Sequence, residues 1–183
     1  MTFGPEDDSD AMVTVISMDA SGRALSDAEL AALCEALDDE FKAIATYNQV
    51  IADFGAVRPF VNIVEAERRH ANALLSLFKR YEVAVPRNPW ADEAPRFSTL
   101  DEACLAGVDG EIENAAMYSR LIAATSHPDI IEVFENLQRA SQENHLEAFR
   151  RCANRQDGPD LDADGGGGGR RRRRHRGGSG HRS

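Results

Sequence analysis

The sequence predicts an all-α protein, a bundle of four helices arranged as two antiparallel hairpins that a long crossover joins. Three observations predict this fold. Apolar residues recur at the three-and-four spacing of a helix face in four separate segments. Capping boxes or prolines mark the helix starts, and the connections between helices run short, long, short. No segment shows the strict polar–apolar alternation of a competing strand.

The first two helices form the first predicted hairpin. The first begins at Ser26, where Ser26 and Glu29 make a capping box, and it stops at Gly55. Its apolar face comprises Leu30, Leu33, Leu37, Ile44, Tyr47, Ile51 and Phe54. The second helix starts around Pro59, because the fixed φ of proline suits a first helical turn. Its apolar face comprises Phe60, Ile63, Leu74, Leu77 and Tyr81.

The crossover and the second hairpin follow. The segment 83–97 contains three prolines, so it cannot continue a helix and is predicted to be the long connection. A second capping box, Thr99 to Glu102, opens the third helix, and Pro128 marks the start of the fourth. The third apolar face comprises Cys104, Val108, Ala115, Tyr118 and Ile122. The fourth comprises Ile131, Phe134, Leu137, Ala148 and Cys152.

Composition divides the chain of 183 residues into three parts. Residues 1–24 are acidic or small and carry no periodic pattern, so we expect a disordered N-terminal segment. Residues 25–156 form the predicted bundle. Residues 157–183 form a low-complexity Gly/Arg-rich tail that cannot bury enough apolar surface to fold. The net charge of −10 therefore combines an acidic body with a basic tail.

Several classes of protein are excluded by the sequence. No apolar run approaches the roughly 18–20 residues of a membrane helix, and the acidic N-terminus lacks the layout of a secretory signal. The three cysteines, Cys34, Cys104 and Cys152, are odd in number and spaced like core positions. We expect them to be small core residues rather than a disulfide framework, which favours a cytoplasmic protein.

Five ionisable residues occupy places in the helix faces where apolar residues are expected. They are Glu40, Glu67, His70, Glu111 and His145. A lone buried carboxylate costs several kcal/mol, as an order of magnitude, unless it is paired or bound to metal. Within each hairpin the acid and the imidazole lie equally far from the turn, so all five are predicted at one level. This favours a metal site, and the alternative is a hydrogen-bonded polar core supported by Arg68, Arg69 or Gln142.

An internal repeat relates the two predicted hairpins. The segment from Glu40 to Tyr47 matches the segment from Glu111 to Tyr118, with a tyrosine seven residues after each glutamate. Seven residues are two helical turns, so each tyrosine shares a face with its glutamate. The repeat predicts a pseudo-twofold site between the hairpins. We interpret both tyrosines as core aromatics with a hydrogen bond rather than as radical or electron-relay sites.

This arrangement of residues resembles the ferritin-like superfamily over about 26–154. The closest likeness is to its rubrerythrin and bacterioferritin branch and to uncharacterised bacterial proteins with ferritin-like domains. The resemblance implies two non-haem irons, with Glu67 bridging, Glu40 and Glu111 as terminal carboxylates, and His70 and His145 each on one metal. It also implies di-iron redox chemistry with O₂ or peroxide, of the ferroxidase, peroxidase or oxidase type. Because the chain has no Cys-x-x-Cys pair, such an enzyme would need an external electron donor.

The fourth helix departs from the pattern of this superfamily. Its members carry Glu-x-x-His there, whereas Gln142 stands three residues before His145. Glutamine is a neutral, weaker ligand and does not bridge as a carboxylate does. The sequence thus leaves open two irons, a single metal ion, or another divalent metal.

The alternative function is non-enzymatic. In that interpretation the bundle is a helical scaffold or interaction module, and the Arg-rich tail binds nucleic acid or another polyanion through Arg170–Arg176, mainly by phosphate contacts. A homodimer is also compatible with the sequence, and a membrane partner is not expected.

Overall fold

The computed structural model describes residues 24–90 and 93–155, and these are almost entirely helical. The helices are α1 (Asp27–Phe54), α2 (Phe60–Arg80), α3 (Leu100–Ala123), α4 (Pro128–Ala140) and α5 (Leu146–Ala153). A π-helical segment, Ser141–His145, joins α4 to α5 without a break in helical backbone. No strand element occurs within the described ranges, so the predicted all-α class is confirmed. The predictions for 1–23 and for the tail from 156 onward lie outside these residues.

The helices pack as two antiparallel pairs. Tyr47 on α1 contacts Phe60 on α2 near the turn, and Glu40 contacts His70 farther from it. The two helices therefore run in opposite directions. In the second pair, α3 packs against both α4 and α5. The pairs meet through contacts of α1 with α3 and of α2 with α4. The residues between α2 and α3 form the long connection that the prolines predict.

The predicted helix boundaries agree closely with the structure. Ser26 and Glu29 form a reciprocal capping box at α1, and Gly55 ends that helix with a φ of 87°, a conformation that glycine adopts without a steric penalty. Thr99 accepts from the backbone N–H of Glu102 at the start of α3. Pro128 is the first residue of α4. The prediction for α2 is off by one residue, since Pro59 is its N-cap and follows a cis peptide bond.

Two apolar clusters occupy the two ends of the helical core. One, centred on Leu33, Leu37, Tyr81, Tyr118 and Phe134, lies toward the turn between α3 and α4. The other lies toward the turn between α1 and α2 and contains Tyr47, Phe60, Cys104, Phe149 and Cys152. The buried ionisable side chains lie on the stretches of helix between these two clusters. The core is therefore two apolar layers separated by a polar one.

The π segment changes which residues of the fourth helical rod face inward. One extra residue in the turn places Ser141, His145 and Phe149 on the buried face, at successive spacings of four. Gln142 is exposed, and Phe149 rather than Ala148 is buried among the core aromatics. The resemblance placed Gln142 at a ligand position three residues before His145, and this placement is wrong, because the structure exposes Gln142.

A disulfide joins Cys104 on α3 to Cys152 on α5. The sequence analysis expected small core residues rather than a disulfide framework. Both cysteines are core residues as predicted, but they are joined by this single disulfide, and Cys34 is free. The two helices approach closely nearby: a Cβ on Gly107 would lie 2.5 Å from the ring of Phe149. Cys104 and Cys152 meet because each lies on the surface of its helix that faces the other helix of the pair.

Candidate metal centre

All five predicted site residues converge in the polar layer. Glu40, Glu67, Glu111 and His145 are 2%, 4%, 3% and 6% exposed, and His70 is partly buried beside them. Each comes from the inner face of its helix: α1 contributes one residue, α2 two, α3 one, and the π segment one. The structure thus brings together every residue that the sequence analysis assigned to a metal.

The first half of the centre lies between α1 and α2. His70 Nδ1 lies 2.7 Å from Glu67 Oε2 and 3.5 Å from Glu40 Oε2. One donor atom from each of these three residues lies within 4.8 Å of the other two. Two carboxylate oxygens and an imidazole nitrogen at this separation are a set that can hold a divalent transition metal.

The second half repeats the first with residues of α3 and the π segment. His145 Nδ1 lies 3.1 Å from Glu67 Oε1 and 3.6 Å from Glu111 Oε1, and the donor atoms again lie within 4.8 Å of one another. Glu67 therefore presents one oxygen to each half. The two imidazole rings stack with their centroids 5.5 Å apart and an interplanar angle of 24°.

The Nδ1 atom of His145 provides a test of whether the centre fits a metal. This atom is buried, and although Glu67 Oε1 lies 3.1 Å away, the two groups are not oriented to form a hydrogen bond. A buried polar atom without a partner is costly, so it calls for a ligand. The nitrogen faces carboxylate oxygens of Glu67 and Glu111, and a cation between them would satisfy all three. The donor set fits a metal ion.

The two tyrosines of the internal repeat support the carboxylates of the opposite hairpin. Tyr118 on α3 donates to Glu40 Oε1 at 2.7 Å, and Tyr47 on α1 donates to Glu111 Oε1 at 3.2 Å. Each tyrosine thus bonds the glutamate of the other repeat. The prediction that both are core aromatics with a hydrogen bond is confirmed, and the crossed pattern is what a pseudo-twofold axis produces.

Ser141 occupies the inward position that the sequence analysis gave to Gln142. Its hydroxyl donates to Glu111 Oε2 and contacts the backbone carbonyl of Glu111. Sequence reasoning missed this residue because it considered the position three residues before His145, although residues four apart also share a helix face. The predicted arginine supports are also wrong: Arg68 is exposed and bonds Glu65 and Asn48, and Arg69 is exposed.

Without metal, bound protons compensate part of the negative charge of the buried carboxylates. Burial lowers the pKa of His70 and His145, but the carboxylates beside them outweigh it and raise the pKa to about 9 and about 10. Burial, reinforced by the negative charge of Glu67, raises the pKa of Glu40 to about 8. For Glu67 the two imidazoles overcome burial and lower the pKa. The cluster is therefore stable only with compensating positive charge, which a metal would supply instead.

A cavity of about 330 Å³ connects the centre with the protein surface. Its walls include Asp109 and Glu113 of α3 and Pro95 and Phe97 of the connection. Asp39 also lines it and accepts from Asn114 Nδ2 at 2.7 Å. Burial raises the pKa of Asp39, and the nearby Glu111 and Glu67 raise it further. The approach to the centre is thus acidic and wide enough for small molecules and cations.

A second buried ionisable pair, which sequence reasoning missed, lies far from this centre. His127 is fully buried, and its Nδ1 lies 2.7 Å from Glu29 Oε1. That oxygen also accepts from Thr125 and from the backbone and hydroxyl of Ser126. The pair ties the start of α1 to the turn between α3 and α4. No periodic signal could place Glu29 beside a turn that lies nearly a hundred residues away in the chain.

Comparisons with known proteins give the fold and no function. No family model and no curated protein matches the chain. A solved structure of a hypothetical protein from Methanococcus jannaschii DSM 2661, MJ0754, is 24% identical with a TM-score of 0.65, and covers 72% of this chain and 83% of its own. A conserved hypothetical protein of Mycobacterium tuberculosis, rv2844, is 19% identical with a TM-score of 0.60, covering 70% and 98%. The helical fold therefore recurs in other proteins.

Among the described residues, no helix combines the length and the apolar character needed to cross a membrane.

Proposed function

We propose that this chain is a ferritin-like four-helix bundle that binds non-haem iron, as a di-iron carboxylate centre, and carries out redox chemistry with O₂ or peroxide. The resemblance in sequence and the two antiparallel helix pairs support the fold assignment. The donor set supports the centre. A di-iron site of this kind takes its ligands from all four helical rods of a bundle, which is the origin of the five residues here.

The observation that carries the proposal is the position of Glu67 between two matching halves. Its two oxygens lie 2.7 Å from His70 Nδ1 and 3.1 Å from His145 Nδ1. Each half then adds one further carboxylate, from Glu40 or Glu111. A structural salt bridge requires one acid and one base, whereas a shared central carboxylate with symmetric outer ligands is the arrangement that suits two adjacent cations.

Each residue of the centre has a separate role in this proposal. Glu67 would bridge, Glu40 and Glu111 would bind terminally, and each histidine would hold one metal. Bound iron would supply one-electron redox steps at a site open to a small oxidant. Mixed carboxylate and imidazole donors also suit manganese and other divalent ions. Tyr47, Tyr118 and Ser141 hold the outer carboxylates in place through hydrogen bonds.

Elemental analysis after loading with Fe(II) under anaerobic conditions and desalting tests the binding step. We expect about two ions per chain, and loss of most of this metal in Glu67→Gln, which keeps the shape of the side chain but removes the bridging charge. Glu143→Gln is the matched control, since Glu143 is an exposed glutamate of the same helical rod as His145. Metal-free wild type, or equal retention by both variants, contradicts the proposal.

Redox chemistry is tested separately by admitting air or peroxide to the loaded protein. We expect ferric absorption to develop in wild type and in Glu143→Gln, with the oxidation rate depending on the loaded centre rather than on free iron. A loaded protein that stays ferrous would leave a metal-binding protein without the proposed oxidation activity. The non-enzymatic alternative through Arg170–Arg176 concerns residues outside those the structure describes, and stays a prediction.

A further inference from the structure

The Cys104–Cys152 pair stands in register with the metal centre. Cys104 lies seven residues before Glu111 on α3, and Cys152 lies seven residues after His145 on the fourth helical rod. Seven residues are two helical turns, or about 10 Å along the axis. Each cysteine therefore lies two turns along the same helical rod from a ligand of the second half, Cys104 from Glu111 and Cys152 from His145. Both cysteines belong to the apolar cluster that contains Phe149 and Tyr47.

A continuous path of packed aromatic side chains links the pair to the centre. Phe149 belongs to the same core cluster as both cysteines and packs against α3 at Gly107, between Cys104 and Glu111 in the chain. The rings of Phe149 and Tyr47 lie 5.3 Å apart, and the Tyr47 hydroxyl bonds Glu111 at 3.2 Å. Packed side chains of this cluster therefore lie between the sulfur pair and the candidate metal centre.

The same pair is closed to direct attack from solvent. Cys104 is 0% exposed and Cys152 is 4% exposed, so a peroxide in solution has little access to either sulfur. Cys34, by contrast, is only partly buried. Oxidation of a thiol by peroxide depends on its exposure. Oxidation of the buried pair therefore needs another route, and a cavity connects the centre beside it with the surface.

We infer that Cys104 and Cys152 form a two-electron store for the centre, cycling between a dithiol and the disulfide seen in the structure. This inference rests on the proposed function. With hydrogen peroxide as the oxidant, the electrons and protons of this reaction balance. Two S–H bonds break and one S–S bond forms, which releases two electrons and two protons. The O–O bond of hydrogen peroxide breaks and takes up these electrons and protons, giving two molecules of water. The dithiol thus supplies two electrons that the external electron donor would otherwise have to supply.

The test counts free thiols in the full chain. The protein is unfolded, reduced with a phosphine and refolded without air, and it is then loaded anaerobically with Fe(II) and desalted. Two equivalents of hydrogen peroxide are added, because two Fe(II) ions and one dithiol together supply four electrons, and the protein is denatured for thiol counting and intact mass. We expect the three free thiols to fall to one in the loaded protein, with loss of two hydrogen atoms in mass. In the metal-free protein we expect the buried pair to stay reduced. Glu67→Gln should behave like the metal-free protein.

Two matched variants assign the reaction to the pair. Cys152→Ser should leave Cys104 unoxidised after the same treatment, whereas Cys34→Ser should still lose two thiols. Equal oxidation with and without metal overturns the inference. Metal content is measured on the same samples: loaded protein with three intact thiols contradicts this inference alone, whereas failure to load contradicts the proposed function.

Discussion

The hydroxyl of Tyr118 on α3 donates to Oε1 of Glu40 on α1 at a distance of 2.7 Å, inside a buried layer where both residues are nearly inaccessible. This bond orients a carboxylate that would otherwise have a free lone pair in the core. It also couples the two hairpins at the level of the candidate metals. The supporting bonds are therefore expected to contribute to metal affinity as well as to stability.

Replacing Tyr118 by Phe should weaken both properties. The change removes only the hydroxyl, so we expect a loss of about 1 kcal/mol in unfolding free energy and of about tenfold in metal affinity. Urea unfolding and Mn(II) titration measure the two effects. Tyr81→Phe is the control, because Tyr81 bonds Asp129 at the same 2.7 Å but far from the centre. A loss of metal affinity in both variants would show that the effect is global.

The affinity for a divalent metal should rise with pH between about 6 and 9. Burial lowers the pKa of both histidines, but the neighbouring carboxylates of Glu40 and Glu67 raise that of His70 to about 9, and those of Glu111 and Glu67 raise that of His145 to about 10. Both imidazoles therefore carry protons in the metal-free protein at neutral pH. Metal must displace these protons, so binding is weaker at lower pH. Calorimetry with Mn(II) in buffers of different ionisation enthalpy should show release of about two protons per chain from the imidazoles and of one more from Glu40. Binding without proton release would be inconsistent with ligation by the histidines.

The hydrogen bonds that the Glu29 carboxylate accepts should stabilise the fold at neutral pH and lose this effect in acid. Burial raises the pKa of Glu29, but hydrogen bonds from the backbone of Ser126 and Ser26 and from His127 hold it well below its ordinary value of 4.5. A lowered pKa in the folded state gives stability that is fully present above 4.5 and is lost as pH falls further. We expect Glu29→Gln to unfold at lower urea concentration than wild type at pH 7. The difference should shrink toward pH 3, and a constant difference would refute this assignment.

Two glycines of α3 should respond in opposite directions to alanine. A Cβ at Gly107 would lie 2.5 Å from the Phe149 ring, so Gly107→Ala should destabilise by about 1–3 kcal/mol through overpacking. At Gly110 the added Cβ would meet no atom within 4 Å apart from the chain neighbours and backbone of its own helix. Gly110→Ala should therefore stabilise by about 0.5–1 kcal/mol, because alanine is the better helix former. Thermal unfolding of the two variants compares them, and a stable Gly107→Ala would show that α3 and α5 are not in close contact.

The sequence predicted the helices and the five converging residues because both depend on local periodicity. Capping residues such as Ser26, Gly55 and Pro128 act on their own helix ends, so their effect can be recognised without tertiary information. The depth of Glu40 and His70 follows from equal distances to one turn. Regular helices convert such distances along the chain into a common level in the core.

The errors arise where a local pattern is broken or where distant residues meet. The π segment inserts one residue into a turn, so Ser141, which follows Leu137 by four residues, faces inward and Gln142 does not. The cysteines 104 and 152 meet because two helices pack face to face, and their odd total in the sequence argued against pairing. The contact of Glu29 with His127 likewise depends on how the hairpins dock.

The most direct test of the central claim is an anomalous-scattering map from crystals loaded with Fe(II) or Mn(II), measured at the absorption edge of the metal. We expect two peaks beside the Glu67 carboxylate, one near His70 Nδ1 with Glu40 and one near His145 Nδ1 with Glu111. A map without peaks at this position, in crystals where the three carboxylates and two imidazoles pair only with one another, would contradict the account.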